Sequence, residues 1–208
     1  MSAGKFIVLE GGEGAGKSTQ ARMLADVLRA RGIDVVLTRE PGGTTGAEAI
    51  RGLLLNPEGE GWGVRAEALL FAAARSDHVE RLIRPALSQG RWVVCDRFLD
   101  SSRAYQGAGG LDDSAILTLH DIGSGGLLPD HTILITVSPD VASQRLALRD
   151  QGRSDRIGGR SSDYHAQVHA ALTAFAEEQP ERFALVDGDG TVEATHALVL
   201  NAIGSIPA

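Results

Sequence analysis

The feature that most constrains this chain is a glycine-rich junction between a strand-like segment and a helix-like one. "KFIVLE" (5–10) runs straight into "GGEGAGKST" (11–19), and Ala21, Leu24, Ala25 and Leu28 then share one face of a helix expected over 17–31. From Gly11 to Ser18 the residues fit Gly-x-x-x-x-Gly-Lys-[Ser/Thr]. Glycines let the backbone approach closely and turn its N–H groups inward around a polyphosphate. Lys17 would reach the β and γ phosphates, Ser18 would hold Mg²⁺, and the helix start would add its positive end. The expected nucleotide-binding set is Gly11, Gly12, Glu13, Gly14, Ala15, Gly16, Lys17, Ser18 and Thr19. A Gly-rich turn can match by chance, but the strand–loop–helix context is the one the motif requires.

The same alternation continues along the chain. "DVVLT" (34–38), "RWVVCD" (91–96), "HTILITV" (131–137) and "FALVD" (183–187) are short β-rich runs, separated by stretches of helical length such as 65–88. They are nearly continuous in apolar residues, as strands covered on both faces should be. The pattern predicts an α/β fold: a five-stranded parallel sheet flanked by helices on both faces. At 208 residues, 43 % of them hydrophobic, a single domain over 1–208 is expected. Each strand ends in polar or Gly-rich sequence, and ligands of such sheets gather at the carboxyl ends. "RDQGRSDRIGGRSSD" (149–163) is polar, rich in Arg and Gly, and predicts a mobile loop.

A net charge of −7 argues against nucleic acid as a partner, so phosphate binding must rest on locally focused positive charge. Lys5 and Lys17 are the lysines among twenty basic residues, which sharpens the role of Lys17. The lone Cys95 excludes an intramolecular disulfide and fits a reducing compartment. No apolar run approaches the ~18 residues of a membrane span, and "FIVL" is too short for a signal-peptide core. The expected location is cytoplasmic, with no membrane partner.

Other features have weaker signals. Asp96 ends the third β run, where an acid serves Mg²⁺ or its water shell, or simply caps the next turn. Cys95 reads as a small core residue, since no activating base is near it in sequence. His165 and His169 have the spacing of a zinc helix, but Ala166 replaces the Glu such a motif needs, so a solvated face is expected. "DGDG" (187–190) is too short for a calcium loop and reads as a strand-to-helix turn.

After the glycine loop come "TREPGGT" (38–44), "LLFAAAR" (69–75), "DRFLDSSRAYQG" (96–107) and "DRI" (155–157). In this order and at these spacings the chain resembles the thymidylate kinases, a family with the P-loop nucleoside monophosphate kinase fold. The resemblance implies phosphoryl transfer from ATP to dTMP with Mg²⁺, and a homodimer. It implies that Arg39, Arg51 and Arg97 surround the acceptor monophosphate, with Glu40, Pro41 and Ser101 in the same wall. Phe71 would stack on thymine, Arg75, Ser102 and Gln106 would read its edge, and Tyr105 would lie beneath the deoxyribose. Glu13 would contact the sugar hydroxyl or organise water and Mg²⁺, and Ser18 and Asp96 form the implied metal set. Taken alone, Phe71 and Arg75 are four apart on one helix face and read as a core Phe and a solvated Arg.

Members of this family carry an extra catalytic Arg either in the glycine loop or in a lid. Residues 12–15 hold no base here, whereas 149–163 contains Arg149, Arg153, Arg156 and Arg160. The chain resembles the bacterial lid-arginine type, with Arg149, Arg153 and Arg156 as catalytic candidates beside Lys17, Arg39 and Arg97. Gly158 stands where an acid commonly follows "DRI", and Phe98 replaces the more usual Tyr or His. A kinase for another monophosphate or small metabolite is the alternative. A nucleotide-binding switch is a third, less favoured reading: it predicts a guanine-reading Asn-Lys-x-Asp, and with lysines at 5 and 17 that motif is absent.

Overall fold

The computed structural model describes residues 4–56, 58–150 and 155–204, without the side chains of 149 and 150. The elements are β1 (Phe6–Glu10), α1 (Lys17–Ala30), β2 (Val35–Arg39), α2 (Thr45–Leu55), α3 (Val64–His78), a π-helical turn (Val79–Ile83), α4 (Arg84–Ser88) and β3 (Trp92–Asp96). The chain continues through α5 (Leu99–Ala108), α6 (Asp113–Ser124), β4 (His131–Thr136), α7 (Pro139–Asp150), α8 (Ser162–Glu178), β5 (Phe183–Asp187) and α9 (Val192–Ile203). All five expected strands form, in one parallel sheet of order β2-β3-β1-β4-β5.

Side-chain alternation explains why these strands are apolar throughout. Ile7, Leu9, Val94, Ile133 and Ile135 point to one face, where they pack with Leu24 and Leu28 of α1 and Val199 and Ile203 of α9. Phe6, Val8, Val93 and Cys95 point to the other face, against Val79, Ile83, Phe98 and Ile116. Leu134 and Phe183 extend that second face under Val168 and Leu172 of α8. Cys95 is therefore core, and burial pushes its thiol well above the usual range.

The helix expected over 65–88 is interrupted. Pro85, in the first turn of α4, has no N–H to continue an α ladder, and the widened turn of Val79–Ile83 precedes it. The "DGDG" segment is the expected strand-to-helix turn: Asp187 accepts from Asp189 N at 2.9 Å, and Asp189 accepts from Ser138 N at 2.7 Å. The later part of the 149–163 segment is a turn over 155–160. Asp155 Oδ1 accepts from the N–H groups of Ile157 and Gly158, and Ser161 caps α8. No helix among the described residues is long and apolar enough to cross a membrane.

Register brings the strand ends into one row. Arg39 pairs with Asp96, and Asp96 with Leu9, so the loops after β1, β2 and β3 open side by side at the carboxyl edge.

Candidate active site

The loop after central strand β1 is shaped by its glycines. Gly11 has φ 149°, and a Cβ there would lie 2.4 Å from the Ile135 carbonyl oxygen. Gly14 has φ 76°, and a Cβ there would lie 2.8 Å from the Ala142 carbonyl oxygen. Lys17 folds back over the loop and donates from Nζ to Gly12 O at 2.7 Å. Burial, then the nearby Arg97, pushes the Lys17 amine down to about 8. Ser18 Oγ donates to Asp96 Oδ2 across 78 residues of sequence, while Asp96 Oδ1 is buried with no partner among the described residues. A hydroxyl beside a carboxylate with an unused oxygen suits a hard cation such as Mg²⁺.

Beside this loop lies a cavity of about 370 Å³. Its floor comes from α3 and α5: Phe71 is half-buried on the wall, and Arg75, one turn later, is 4 % exposed. Arg75 is not solvated, because Nε donates to Glu40 Oε2 at 2.7 Å and Nη2 to Ser102 Oγ at 2.6 Å and Phe98 O at 3.1 Å. Its Nη1 takes no partner among the described residues. Glu40 in turn meets His78 Nδ1 at 3.1 Å, and His78 Nε2 meets Thr38 Oγ1 at 2.7 Å. Burial opposes the Glu40 charge, but Arg75 and His78 outweigh it and hold the carboxyl below its usual range.

Arg97 follows β3 with φ 68°, a left-handed conformation that costs a non-glycine residue on the order of 1–2 kcal/mol. It is held there from several sides: N–H to Leu9 O at 3.0 Å, Nη1 to Gly11 O and Ser101 Oγ, and Nη2 to Glu13 Oε1 at 2.5 Å. Tyr105 OH also donates to Glu13 Oε1, and the Arg97 guanidinium lies 5.0 Å from the Tyr105 ring centroid. Beneath them the fully buried Glu10 accepts from Phe98 N, Ser101 N and Ser101 Oγ. Burial, then the Asp100 charge, pushes Glu10 above the usual carboxylate range.

Arg39 and Arg51 complete the cationic side of the cavity, with Arg39 paired to Glu48 at 2.9 Å and Arg51 donating to Pro41 O at 2.7 Å. Gln106 donates from Nε2 to Glu67 Oε1 at 3.2 Å and leaves its Oε1 buried without a partner among the described residues.

A second cavity of about 360 Å³ lies on the other side of the loop, between Gly14–Gln20 and residues Arg145, Leu146, Val192 and Thr195 of α7 and α9. Arg145 is fixed there by the carbonyls of Gly188 and Gly190. Lys17 and Ser18 line both cavities.

Of the residues expected from sequence, Glu13, Lys17, Ser18, Arg39, Glu40, Pro41, Arg51, Phe71, Arg75, Asp96, Arg97, Ser101, Ser102, Tyr105 and Gln106 all line the first cavity. Arg156 lines neither cavity; its guanidinium donates to the carbonyls of Asn56, Glu58 and Gly59. Arg153 and the side chain of Arg149 lie outside the described residues. Sequence reasoning missed Glu10, Arg145, Asp155 and Ile157. Glu10 and Arg145 had a signal of a kind, an acid or base at a strand end or helix face that nothing local satisfies; Asp155 and Ile157 were seen only as part of "DRI".

A parallel sheet with a phosphate loop after its central strand and an acceptor-sized cavity beside it defines a P-loop nucleoside monophosphate kinase fold. The family model described as thymidylate kinase matches residues 9–199. A thymidylate kinase of Rhizorhabdus wittichii is 54% identical over 204 residues, covering 98% of each chain. One from Caulobacter vibrioides is 45% identical over 204 residues, covering 98% of this chain and 97% of the relative. The crystal structure of thymidylate kinase from Ehrlichia chaffeensis superimposes with a TM-score of 0.79 at 31% identity, over 97% of this chain and all of the other. The chain belongs to the thymidylate kinase family.

Proposed function

We propose that this protein transfers the γ-phosphoryl group of ATP to dTMP, giving dTDP and ADP. The observation that carries the reading is that two cavities of similar size meet at Lys17 and Ser18. Two anionic substrates entering from opposite sides would face each other at those residues, the arrangement an in-line transfer needs.

On the donor side, the backbone of Gly11–Thr19 cradles the triphosphate and Lys17 neutralises charge on the moving group. Ser18 and Asp96 would hold Mg²⁺, which would supply further positive charge to the transfer. On the acceptor side Arg39, Arg51 and Arg97 bind the monophosphate, with Ser101 and Pro41 O orienting Arg97 and Arg51. Phe71 stacks on the base and Arg75 offers Nη1 to a carbonyl, held in position by Glu40. Ser102 and Gln106 complete the base edge. Tyr105 lies under the sugar and Glu13 takes its hydroxyl. The segment 149–163 acts as a lid that delivers Arg149 or Arg153 when both substrates are present.

The protein works as a cytoplasmic homodimer; the large apolar side chains of Leu69 on α3 and Ile122 on α6, exposed on two helices packed together, support the dimer. One assay tests the function: coupled ADP release across a panel of nucleoside monophosphates. The expected result is preference for dTMP, and preference for any other acceptor overturns the reading.

A further inference from the structure

Gln106 lines the acceptor cavity, yet its amide is not free to turn over. Its Nε2 is turned to Glu67 Oε1 at 3.2 Å, and its Oε1 is buried with no partner among the described residues. Both Glu67 oxygens are engaged: Oε2 accepts from Arg160 Nη2. Arg160 is fixed in turn by its contact with Tyr164 OH, which donates to Tyr105 O at 2.6 Å. A carboxylate paired with a guanidinium can only accept, so it binds the NH₂ end of an amide and turns the carbonyl end away. Residues from α3, α5 and the start of α8 thus converge on the orientation of one amide in the cavity wall.

We infer that Glu67 is a positioning residue that sets base specificity, by fixing Gln106 so that its carbonyl oxygen rather than its amino group is offered to the acceptor base. Arg160 holds Glu67 in that role from outside the cavity. This deepens the reading of the site as a dTMP pocket and rests on it. An oxygen at that place accepts from a pyrimidine with an N3–H, such as thymine, and repels one whose N3 is itself an acceptor, such as cytosine. A freely rotating Gln106 could satisfy either base.

Glu67→Gln keeps the volume and lets both amides flip. The readout is the ratio of kcat/KM for dTMP to that for dCMP, with kcat and KM measured separately. The ratio should fall by about tenfold, the value of one well-placed hydrogen bond, with most of the change in KM. Added to Gln106→Ala, the same substitution should lower the ratio no further, because it acts through that amide. A merely structural role would weaken both acceptors equally and leave the ratio unchanged; that result, or an undiminished loss in the Gln106→Ala background, overturns the inference. Should Glu67→Gln not fold, Arg160→Ala loosens Glu67 from outside and should lower the ratio by a smaller factor, and an unchanged ratio there overturns it equally. Wild-type protein that turns over no dTMP would instead overturn the functional reading beneath.

Discussion

The two cavities are built by opposite means. Around the glycine loop the construction is mostly backbone: glycines at 11, 14 and 16 with positive φ, a helix start, and Lys17 bonded to Gly12 five residues away. The first cavity, proposed above to take the acceptor, is walled by side chains brought together over long separations, such as Glu40 with Arg75 across 35 residues and Glu13 with Arg97 across 84. A phosphate chain presents the same atoms in every nucleotide, so a contiguous loop suffices. One base among several requires a wall of oriented donors and acceptors, and only tertiary structure can assemble it. Substitutions should therefore separate cleanly: those in the loop cost rate, and those in the wall cost acceptor affinity or choice.

The largest effect is expected at the junction. Lys17→Ala should lose on the order of 10²-fold or more in turnover while circular dichroism reports an unchanged fold, because the amine meets developing charge and contributes little packing. Activity within a few-fold of wild type would break the assignment of the loop.

Phe71→Ala tests the wall. It should weaken dTMP binding by about 1 to 3 kcal/mol, the value of stacking one base on an aromatic ring, and leave binding of a non-hydrolysable ATP analogue close to intact. Calorimetry with both ligands makes the comparison, and equal losses for the two would erase the distinction between the cavities.

The segment 149–163, proposed above as a lid, sharpens the comparison. At least one of Arg149→Ala, Arg153→Ala and Arg156→Ala should lower kcat at saturating substrates by at least about tenfold, with little change in dTMP affinity. The effect should fall on Arg149 or Arg153, since the Arg156 guanidinium is engaged by the carbonyls of Asn56, Glu58 and Gly59. Near-normal kcat in all three would remove the lid from the mechanism.

The smallest effect concerns pH. A Lys17 amine held at about 8 in the free protein loses its proton, and its charge, as pH rises through that value. The kcat/KM for ATP should accordingly fall on the alkaline side with an apparent pKa near 8. The kcat should hold to higher pH, because bound phosphate stabilises the charged amine. A flat profile through pH 9 would contradict the cause assigned to the shift.

The contrast between cavities also explains what the sequence made legible. Strand positions were readable because apolar residues such as Ile7, Val8 and Leu9 serve two faces in alternation, and the loop because Gly11–Ser18 is contiguous. That the wall residues share one cavity was readable through resemblance alone: by helical spacing Arg75 was a solvated residue, and its burial depends on Glu40, 35 residues away in sequence. Glu10 was missed for a related reason. Its sequence context is the end of an apolar strand, and its partners Phe98 and Ser101 lie 88 and 91 residues away. The break near Pro85 had a local signal in the proline itself, whereas the position of Arg156 depends on the carbonyls of Asn56 and Glu58, 100 and 98 residues away.

The central claim is that both nucleotides occupy the chain at once and meet at Lys17 and Ser18. Calorimetric titration with one molecule that joins adenosine to thymidine through a polyphosphate chain tests it directly. The account predicts one molecule per chain, bound roughly 10²-fold or more tighter than dTMP alone, since filling one cavity presents the other half at high effective concentration. Binding no tighter than dTMP, or two molecules per chain, would show that the cavities are not the two halves of one transfer site.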